Sequence, residues 1–465
     1  MKIDAERQKY MAVSKNKKGS VLAYVLVIMT ASMILLVSVI QLVISRIEYA
    51  NYRENREQAL QIAEAGVYFY RWYLAHEVEG KTSQQIQDFW DGSPLGVGAP
   101  FERDVTDVDG AVRGSYSVSV TPPESYSTIV IVESTGISAE DPDVERTVRV
   151  RFRRPSWSEF AIMGNNYMRF GDGTTVTGPL HVNGGVHFDG VAMNTVSSYV
   201  STYYDSDYDV DDWKSGVWTA WSGEYNSSMG SDVFLGGKEF PTDEQSFGNV
   251  ATAMSVMEGA ADGSGTHFSD SGAGRHIILR DDGTFRIRRV GSYYSHSKNI
   301  HWYWGSWQTH DIPENGVIFV DDNIWLEGTI NGERLTIVAA DLDGGASPSV
   351  FIGNDIRYTN YDGTDILGII AEDGIEIIRD SEDDLRIDGA LLAKDGRVGR
   401  SHYGLHKDTI TVFGSIASYA RYGFAYTDGT GYNIRNLQYD NNLLYYPPPY
   451  FPTGDKYAID LWEEA

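Results

Sequence analysis

Residues 21–44 form a run of 24 residues without a charged side chain, and the first charge after it is Arg46. As a helix, this run is long enough to cross the hydrocarbon core of a bilayer, which is about 30 Å thick. Each of its 15 Leu, Ile and Val residues favours insertion by roughly 0.3–0.6 kcal/mol, which outweighs the modest cost of its few polar side chains. We therefore expect residues 21–44 to lie in a membrane, and the rest of the fold must be one that can be attached to a single membrane helix.

The residues before this run set its orientation. Residues 1–19 contain six basic and two acidic side chains, a net charge of +4. Because Lys and Arg hold the flanking end of a membrane helix in the cytoplasm, the rest of the chain is expected to face outward. A secretory signal has a shorter apolar core that is followed by its cleavage site, whereas here a Gly precedes a long core. A plain signal anchor is the alternative.

The helical pattern continues beyond the apolar run. Residues 46–76 are rich in Ala, Glu, Gln and Leu, which favour helix, and Gly66 is the one weak point. A single helix over residues 20–79 would be about 90 Å long. The membrane-distal half of such a helix needs a protein surface to pack against.

The N-terminus carries a family resemblance. Lys17-Lys18-Gly19-Ser20 before the apolar helix, and EQALQIAEAG at residues 57–66, resemble the type IV pilin-like proteins, specifically the PilX-like minor pilins, over about residues 15–155. The resemblance implies that a prepilin peptidase cuts between Gly19 and Ser20. It also implies that the helix is stored in the lipid bilayer and then packs with the helices of other pilin or pseudopilin subunits.

One position departs from the family pattern. Major pilins carry a Glu five residues into the mature chain, where this sequence has Tyr24. A carboxylate inside lipid is costly and persists only if it is paired or functional, and in the resembling family it is thought to pair with the terminal amine of the adjacent subunit. A subunit without this Glu fits better at the leading end of a filament, so we expect a minor, tip-associated subunit.

Composition limits the chemistry of the remaining chain. The 465 residues suffice for two or three domains and contain no Cys, which excludes disulfides, thiol nucleophiles and Cys-ligated metals. The net charge of −27 disfavours nucleic acid as a partner. Nucleotide-binding and nucleophile-elbow motifs are absent, so no cofactor is expected.

Residues 81–155 are predicted to hold a loop followed by an antiparallel meander. The loop spans residues 81–110, where Gly and Pro are frequent. Alternating apolar and polar side chains at 116–120, 128–133 and 144–152 are typical of half-buried strands. We expect the meander to pack on the membrane-distal half of the long helix.

The chain beyond Pro155 is predicted to be all β. Four pentapeptides share an apolar-x-Gly-small-apolar pattern: residues 176–180, 326–330, 387–391 and 412–416. Repeats of one short unit favour a solenoid, here a β-helix, with a β-sandwich as the alternative. The pattern fades between about 190 and 315, which predicts an insertion with a short helix near 249–258. The Tyr- and Pro-rich tail is expected to adopt polyproline II and cap the last turn.

The predicted fold class is therefore α+β, with a long and partly transmembrane helix, an antiparallel meander and a β-helix or solenoid domain. The predicted segments are a leader at 1–19, a membrane and stalk helix at 20–80, a meander at 81–155, a solenoid-like domain at 156–445 with an insertion at about 190–315, and a capping tail at 446–465.

Asp205, Asp207 and Asp209 alternate like the start of an EF-hand calcium loop. The sixth position of such a loop is Val210 rather than Gly, and the twelfth is Gly216 rather than Glu. An acidic solvated loop is the favoured interpretation, and these three residues are a weak metal candidate. No other metal site is expected.

Two further patterns concern sugars. Paired acids, such as Asp281-Asp282 and Glu372-Asp373, lie beside turn residues, which favours a turn role over glycoside hydrolysis, so no enzyme activity is expected. Trp302, Trp304 and Trp307 form an aromatic cluster that suits contact with a surface glycan or protein ligand, and core packing is the alternative.

The function predicted from these features is that of a minor, tip-located subunit of a type IV pilus or pseudopilus. It is anchored in the cytoplasmic membrane before assembly and displays its β-rich body at the cell surface for adhesion or to prime assembly. The rival is a membrane-anchored surface protein that binds or degrades polysaccharide. A purely structural envelope scaffold is a third possibility.

Overall fold

A computed structural model describes residues 18–81, 83–123, 127–245, 247, 249–269, 272–454 and 456–464. The first 17 residues of the predicted leader lie outside these ranges. The helices are α1 (Lys18–Val78), α2 (Ser83–Asp91) and α3 (Asn249–Gly263). The long N-terminal helix and the large β-rich body that the sequence predicts are both present.

The 61 residues of α1 divide into two halves of different character. Every residue from 21 to 54 is exposed, and we call this segment the bare half. Residues 55–78, the docked half, bury one face at intervals of three or four residues, as a helix on a protein surface does. The buried side chains include Ala63, Val67 and Leu74.

The docked half packs against a five-stranded antiparallel sheet. Its strands, in spatial order, are β1 (Phe101–Thr106), β2 (Val112–Thr121), β3 (Ile129–Ser138), β4 (Glu145–Arg153) and the last strand of the chain, β32 (Ala458–Glu464). Strands β2, β3 and β4 confirm the predicted meander. Their buried valines, among them Val118, Val132 and Val150, face the helix and alternate with polar side chains.

Small residues let the helix lie close to the sheet. A β-carbon on Gly136 in β3 would come within 2.1 Å of the Ala59 carbonyl oxygen in α1. A β-carbon on Gly66 would come within 2.2 Å of the Ser134 hydroxyl. Gly66, the weak point of the helix pattern, is therefore one of the positions where the helix approaches the sheet closely.

The sequence prediction of a loop over residues 81–110 was wrong in two places. Residues 83–91 form α2, which buries Ile86 and Trp90 in the core beneath the docked half. Residues 101–106 form β1, in which only Phe101 and Val105 are partly buried. The alternation in β1 was too short to distinguish it from a loop, because tertiary contacts rather than local pattern hold it in place.

The body contains the remaining strands. Those before α3 are β5 (Ile162–Gly164), β6 (Met168–Phe170), β7 (Thr174–Val176), β8 (Leu180–Val182), β9 (Val186–Phe188), β10 (Val191–Ala192), β11 (Val196–Ser198), β12 (Thr202–Asp205), β13 (Asp212–Ser215), β14 (Val217–Trp218), β15 (Tyr225–Asn226), β16 (Ser231–Asp232) and β17 (Lys238–Glu239). Those after it are β18 (Thr266–Phe268), β19 (Arg275–Leu279), β20 (Thr284–Tyr293), β21 (Ile300–Asp311), β22 (Val317–Val320), β23 (Ile324–Ile330), β24 (Arg334–Ala339), β25 (Val350–Tyr358), β26 (Ile366–Ala371), β27 (Ile375–Ile377), β28 (Asp384–Ala393), β29 (Val398–Arg400), β30 (His406–Ser418) and β31 (Gly431–Tyr439).

Most body strands stack in ladders of parallel neighbours. One ladder runs β18, β22, β24, β26, β28, β30, β5, β8, β11 and β17, and every step in it is parallel. A second runs from β19 through β23, β25 and β27 to β29. A third runs from β23 through β25, β28, β30 and β31 to β7 and β10. These parallel steps differ from the antiparallel sheets of a β-sandwich.

The order of strands in the first ladder reveals how the chain is threaded. The late strands β18 to β30 come first and the early strands β5 to β17 follow them, with β30 paired directly to β5. The chain must therefore return from β17 at one end to β18 at the other. Nine inter-strand steps separate β17 from β18, about 43 Å at about 4.8 Å each, and the 15-residue α3 rises about 22 Å, roughly half of that distance.

Helix α3 covers part of this return and packs on the first ladder. Val250, Met254 and Met257 are fully buried in a cluster with Phe319 and Val338. The helix predicted near 249–258 is present and continues to Gly263. The rest of the region from 190 to 315 is mixed, because β10, β11, β18 and β19 belong to the ladders while β20 and β21 form an antiparallel hairpin that pairs with β19.

Two glycines of the four predicted repeats lie at matching positions, whereas Gly328 pairs with Ile356. Gly389 pairs with Gly414 in neighbouring strands, with the apolar partners Leu391 and Ile416 also in register. Gly414 has φ = 147°, and a β-carbon there would come within 2.0 Å of the Gly389 carbonyl oxygen. Only Gly fits this bend, which explains the residue at the centre of the pattern.

The C-terminal tail differs from the expected cap. Residues 445–454 lie along the first ladder, where the Thr336 hydroxyl donates to the Pro449 carbonyl at 2.5 Å and Phe451 is buried beside α3. Residues 458–464 then form the edge strand β32 of the first sheet. The whole body is thus inserted between β4 and β32.

Candidate functional site

The bare half of α1 exposes all the large apolar side chains of residues 21–44. Leu22 is 72% exposed and Leu36 is 61% exposed. Within the described residues, α1 is the one helix long and apolar enough to cross a membrane. A contiguous apolar surface of this size marks contact with lipid or with partner proteins.

The predicted processing residues lie at the start of this helix. Lys18 is its first described residue, and Gly19 and Ser20 lie in its first turn. The rest of the leader lies outside the described ranges, so cleavage stays a prediction. Tyr24, which replaces the family's Glu, is 68% exposed.

The three aspartates of the weak metal candidate occupy different surroundings. Asp205 is fully buried, and its carboxylate accepts from the Tyr203 hydroxyl at 3.0 Å and from the Asp207 amide at 3.1 Å. Asp209 is in a two-point ion pair with Arg169, at 2.7 and 2.6 Å. The hydrogen bonds from Arg169 lower the pKa of Asp209.

Asp207 is enclosed by arginines. Arg421 donates to both of its carboxylate oxygens, at 2.7 and 3.0 Å, and Arg169 donates to one of them at 3.0 Å. Burial opposes ionisation of this carboxyl, but the two guanidinium groups outweigh it and lower its pKa. The sequence could not show these pairs, because the partners lie 38 and 214 residues away.

Two groups of side chains have metal-compatible spacing within the described residues. In the first, His187 joins Asp205 and Asp207 with ligand atoms within 4.8 Å. Because Asp207 is already neutralised by two arginines, a cation there would meet strong repulsion. The second group, Glu258, His267 and Asp321, is partly exposed and joins α3 to the first ladder. The sequence pattern did not predict a metal-binding role for either His187 or His267.

A cleft opens where early strands of the body lie beside late ones. It comprises a cavity of about 680 Å³ and a neighbouring one of about 310 Å³ that share several walls. We call it the seam cleft. Its walls come from the early segment 169–174, the middle segment 207–221 and the late segment 421–435. Local sequence pattern could not reveal it, since its walls are joined only by the threading of the chain.

The side chains of the seam cleft are held in place by hydrogen bonds. Buried Arg435 donates to the Thr174 hydroxyl at 2.9 Å and to the Tyr432 carbonyl at 2.6 Å, and burial lowers its pKa. The Trp221 indole donates to the Asp189 carbonyl at 2.8 Å. Tyr426 donates to the Arg400 carbonyl at 2.8 Å. The cleft is therefore preformed rather than assembled on binding.

The predicted aromatic cluster lies in β21, the outer strand of the hairpin formed by β20 and β21. Trp302 and Trp304 are 39% and 56% exposed, with ring centroids 4.6 Å apart. Trp307 is half-buried, and its ring lies near His276 and beneath Arg286. The structure thus brings Trp302 and Trp304 together on the surface, whereas Trp307 packs with Tyr303 and His276 instead.

No protein-family model matches this chain. No curated protein matches it either. Among solved structures, a similar one is the crystal structure of the competence-associated pilin ComZ from Thermus thermophilus, at 12% sequence identity and a TM-score of 0.30. The match covers 88% of this chain and 98% of that one.

Proposed function

We propose that this protein is a minor, tip-located subunit of a type IV pilus or pseudopilus. Its helix is held in the cytoplasmic membrane, a prepilin peptidase cuts between Gly19 and Ser20, and the helix then packs among those of other subunits. The body is displayed at the cell surface for adhesion or to prime assembly. In this role the protein binds and assembles without catalysing a reaction.

The observation that carries the proposal is the unequal burial along α1. Residues 21–54 are exposed throughout, whereas the next 24 residues are docked on the first sheet. A simple tether needs only a membrane span and has no reason to extend the same helix into the core of a sheet. A filament subunit needs both, because the helix must leave the membrane as a rigid extension of the displayed domain.

The arrangement of the body supports display. Its two connections leave side by side, since the Pro452 carbonyl accepts from the Trp157 amide at 3.2 Å and Ser156 pairs with Thr453. The body can therefore extend from the sheet without disturbing how α1 packs. Tyr24 in place of a Glu supports a position at the leading end of the filament.

The absence of cysteine allows a direct test of helix packing. A single cysteine introduced as Leu36→Cys is expected to cross-link to a neighbouring subunit's helix in sheared filaments, while Glu140→Cys in the exposed turn between β3 and β4 does not. Labelled protein should mark filament ends. Labelling along the whole shaft would contradict the tip position, and absence from filaments would contradict the proposal.

We also propose that the parallel ladders are successive turns of a β-helix. Thr411 and Asn436 are neighbours in β30 and β31, and their side chains lie within 3.5 Å. The pair Thr411→Cys and Asn436→Cys should form a disulfide on oxidation, because adjacent strands suit its geometry. Failure of the pair to cross-link in folded protein would contradict the stacking.

We propose further that Trp302, Trp304 and Trp307 contact a surface ligand. Exposed tryptophans supply flat apolar faces with a polar edge, which suit glycan or protein recognition. Changing all three to Ala should reduce attachment of cells that carry the protein. Unchanged attachment would assign them to packing of the hairpin.

A second candidate function is a membrane-anchored protein that binds or degrades polysaccharide. The seam cleft is the observation in its favour. Release of reducing sugars from polysaccharide, together with an uncut leader, would support this function over the filament subunit.

A further inference from the structure

The seam cleft has a wall of balanced charge in a strongly acidic protein. The larger cavity is lined by three arginines and three aspartates, and the smaller one adds one of each. The chain as a whole carries a net charge of −27. A ligand with a net charge would therefore find no excess of opposite charge in this wall.

The charged side chains of this wall already take part in ion pairs or hydrogen bonds, as the ion pairs of Arg169 and Arg421 show. Carboxylates have about four acceptor positions and guanidinium groups five donors, so such pairs retain capacity for further hydrogen bonds. A ligand that offers donors and acceptors together, without net charge, matches such a wall. Sugar hydroxyl groups have this property.

Aromatic rings complete the cleft. Trp221 and Tyr426 line the larger cavity, and Tyr208 stands at its rim, 82% exposed. Aromatic faces pack well against the apolar faces of sugar rings while their polar edges remain wet. The volume of about 680 Å³ lies within the range of about 300–1,000 Å³ that is usual for small-ligand sites.

We propose that the seam cleft binds a neutral oligosaccharide, with Tyr208 and Trp221 as stacking faces and the paired Arg and Asp side chains as hydrogen-bonding partners. This binding needs only the folded body. The proposal can therefore be tested independently of filament assembly. The cleft is also a different surface from the hairpin of β20 and β21 that carries Trp302 and Trp304.

The test uses the full-length protein in a detergent without a sugar headgroup, so that detergent does not compete. The probes are neutral oligomers of glucose, galactose and N-acetylglucosamine, with oligogalacturonate as the acidic counterpart, and affinity is measured by calorimetry. At least one neutral oligomer is expected to bind about tenfold more tightly than oligogalacturonate. Absence of neutral binding, or preference for the acidic probe, would overturn the proposal.

Two variants locate the site without disturbing the core. Tyr208→Ala should weaken binding about 3- to 10-fold by removing a rim ring, and Thr427→Trp should abolish it by filling the mouth with a bulky side chain at an exposed position. Tyr199→Ala, an exposed tyrosine away from the cleft, is the matched control and should bind normally. Wild-type affinity in both cleft variants, or loss of binding only in Trp304→Ala, would place the ligand elsewhere.

Discussion

The two halves of α1 belong to one continuous helix but face different surroundings. Residues 21–44 of the bare half present apolar side chains on every side, and the docked half presents an apolar stripe to the first sheet and polar side chains to solvent. A helix that is apolar all round is stable only when it is surrounded, whereas a striped helix needs one partner surface. The docked half therefore already packs on a surface of the same protein, whereas the bare half must be covered by lipid or by another protein.

The largest effect is expected where the docked half meets the sheet. Gly136→Val should destabilise the protein by about 3 kcal/mol or more, because the new side chain overlaps the backbone of α1 and the helix must move. Denaturant unfolding measures the change in the free energy of unfolding. Gly259→Ala, at a helical position with open space around it, is the control and should leave stability unchanged or slightly raised. Equal stability of Gly136→Val and wild type would mean that the helix does not dock as described.

A charge in the bare half should leave folding unchanged and weaken membrane association. Ile34→Arg places a cation near the middle of the apolar run, at a side chain that is 67% exposed, and should cost about 3 kcal/mol of insertion free energy. Membrane fractionation measures the loss, and Ile34→Leu is the matched control. A lower melting temperature of the detergent-solubilised variant would contradict the comparison, since it would mean that the bare half contributes to the folded core.

A smaller effect is expected at the strand that closes the first sheet. Arg151 in β4 donates to Asp460 in β32 at 2.5 Å, and both side chains are mostly buried. Asp460→Asn should lower the free energy of unfolding by about 1–2 kcal/mol. The exposed pair of Arg149 and Glu463 is 3.7 Å apart, so Glu463→Gln should change it by less than about 0.5 kcal/mol. Equal effects would show that β32 does not pair as described.

The smallest effect concerns the contact of α3 with the first ladder. Burial disfavours the charged form of His267, but its hydrogen bonds to Asp321 and Asp262 raise its pKa above the ordinary 6.5. Its stabilising contribution is therefore complete below about pH 6.5 and is lost as the pH rises through the raised value. Burial and the nearby Asp343 raise the pKa of Glu258, which acts in the same direction.

Melting temperatures between pH 5 and pH 9 measure this dependence. His267→Gln should flatten the decline in melting temperature toward high pH. The matched control is His402→Gln, which removes an exposed histidine that pairs with Asp428 and should keep the decline. A melting temperature that rises with pH in the wild type would contradict the assignment.

The local sequence pattern was sufficient to predict a helix or strand where its buried side chains recur at one fixed spacing. The apolar run, the docked stripe around Ala63 and Leu74, and the alternating valines of β2 to β4 each repeat at a fixed spacing, so their elements could be predicted. The Gly pattern at 389 and 414 likewise marked strands that stack in register.

The rest could not be predicted because it depends on contacts between distant segments. Nothing near Asp207 indicates that Arg421 neutralises it, and nothing near Trp221 indicates that residues 421–435 complete a cleft beside it. In retrospect, one feature of the sequence indicates that residues 458–464 pair with β4. The arginines at 149, 151 and 153 alternate along β4, and the acidic C-terminus supplies their partners.

The identity of the first residue of the mature protein tests the account most directly. N-terminal sequencing of protein purified from membranes or filaments should give Ser20, since a helix that is to leave the lipid and pack with others is expected to lose its basic leader. A mature protein that still begins at Met1 would mean that the bare half serves as a permanent membrane tether, and the filament account would be wrong.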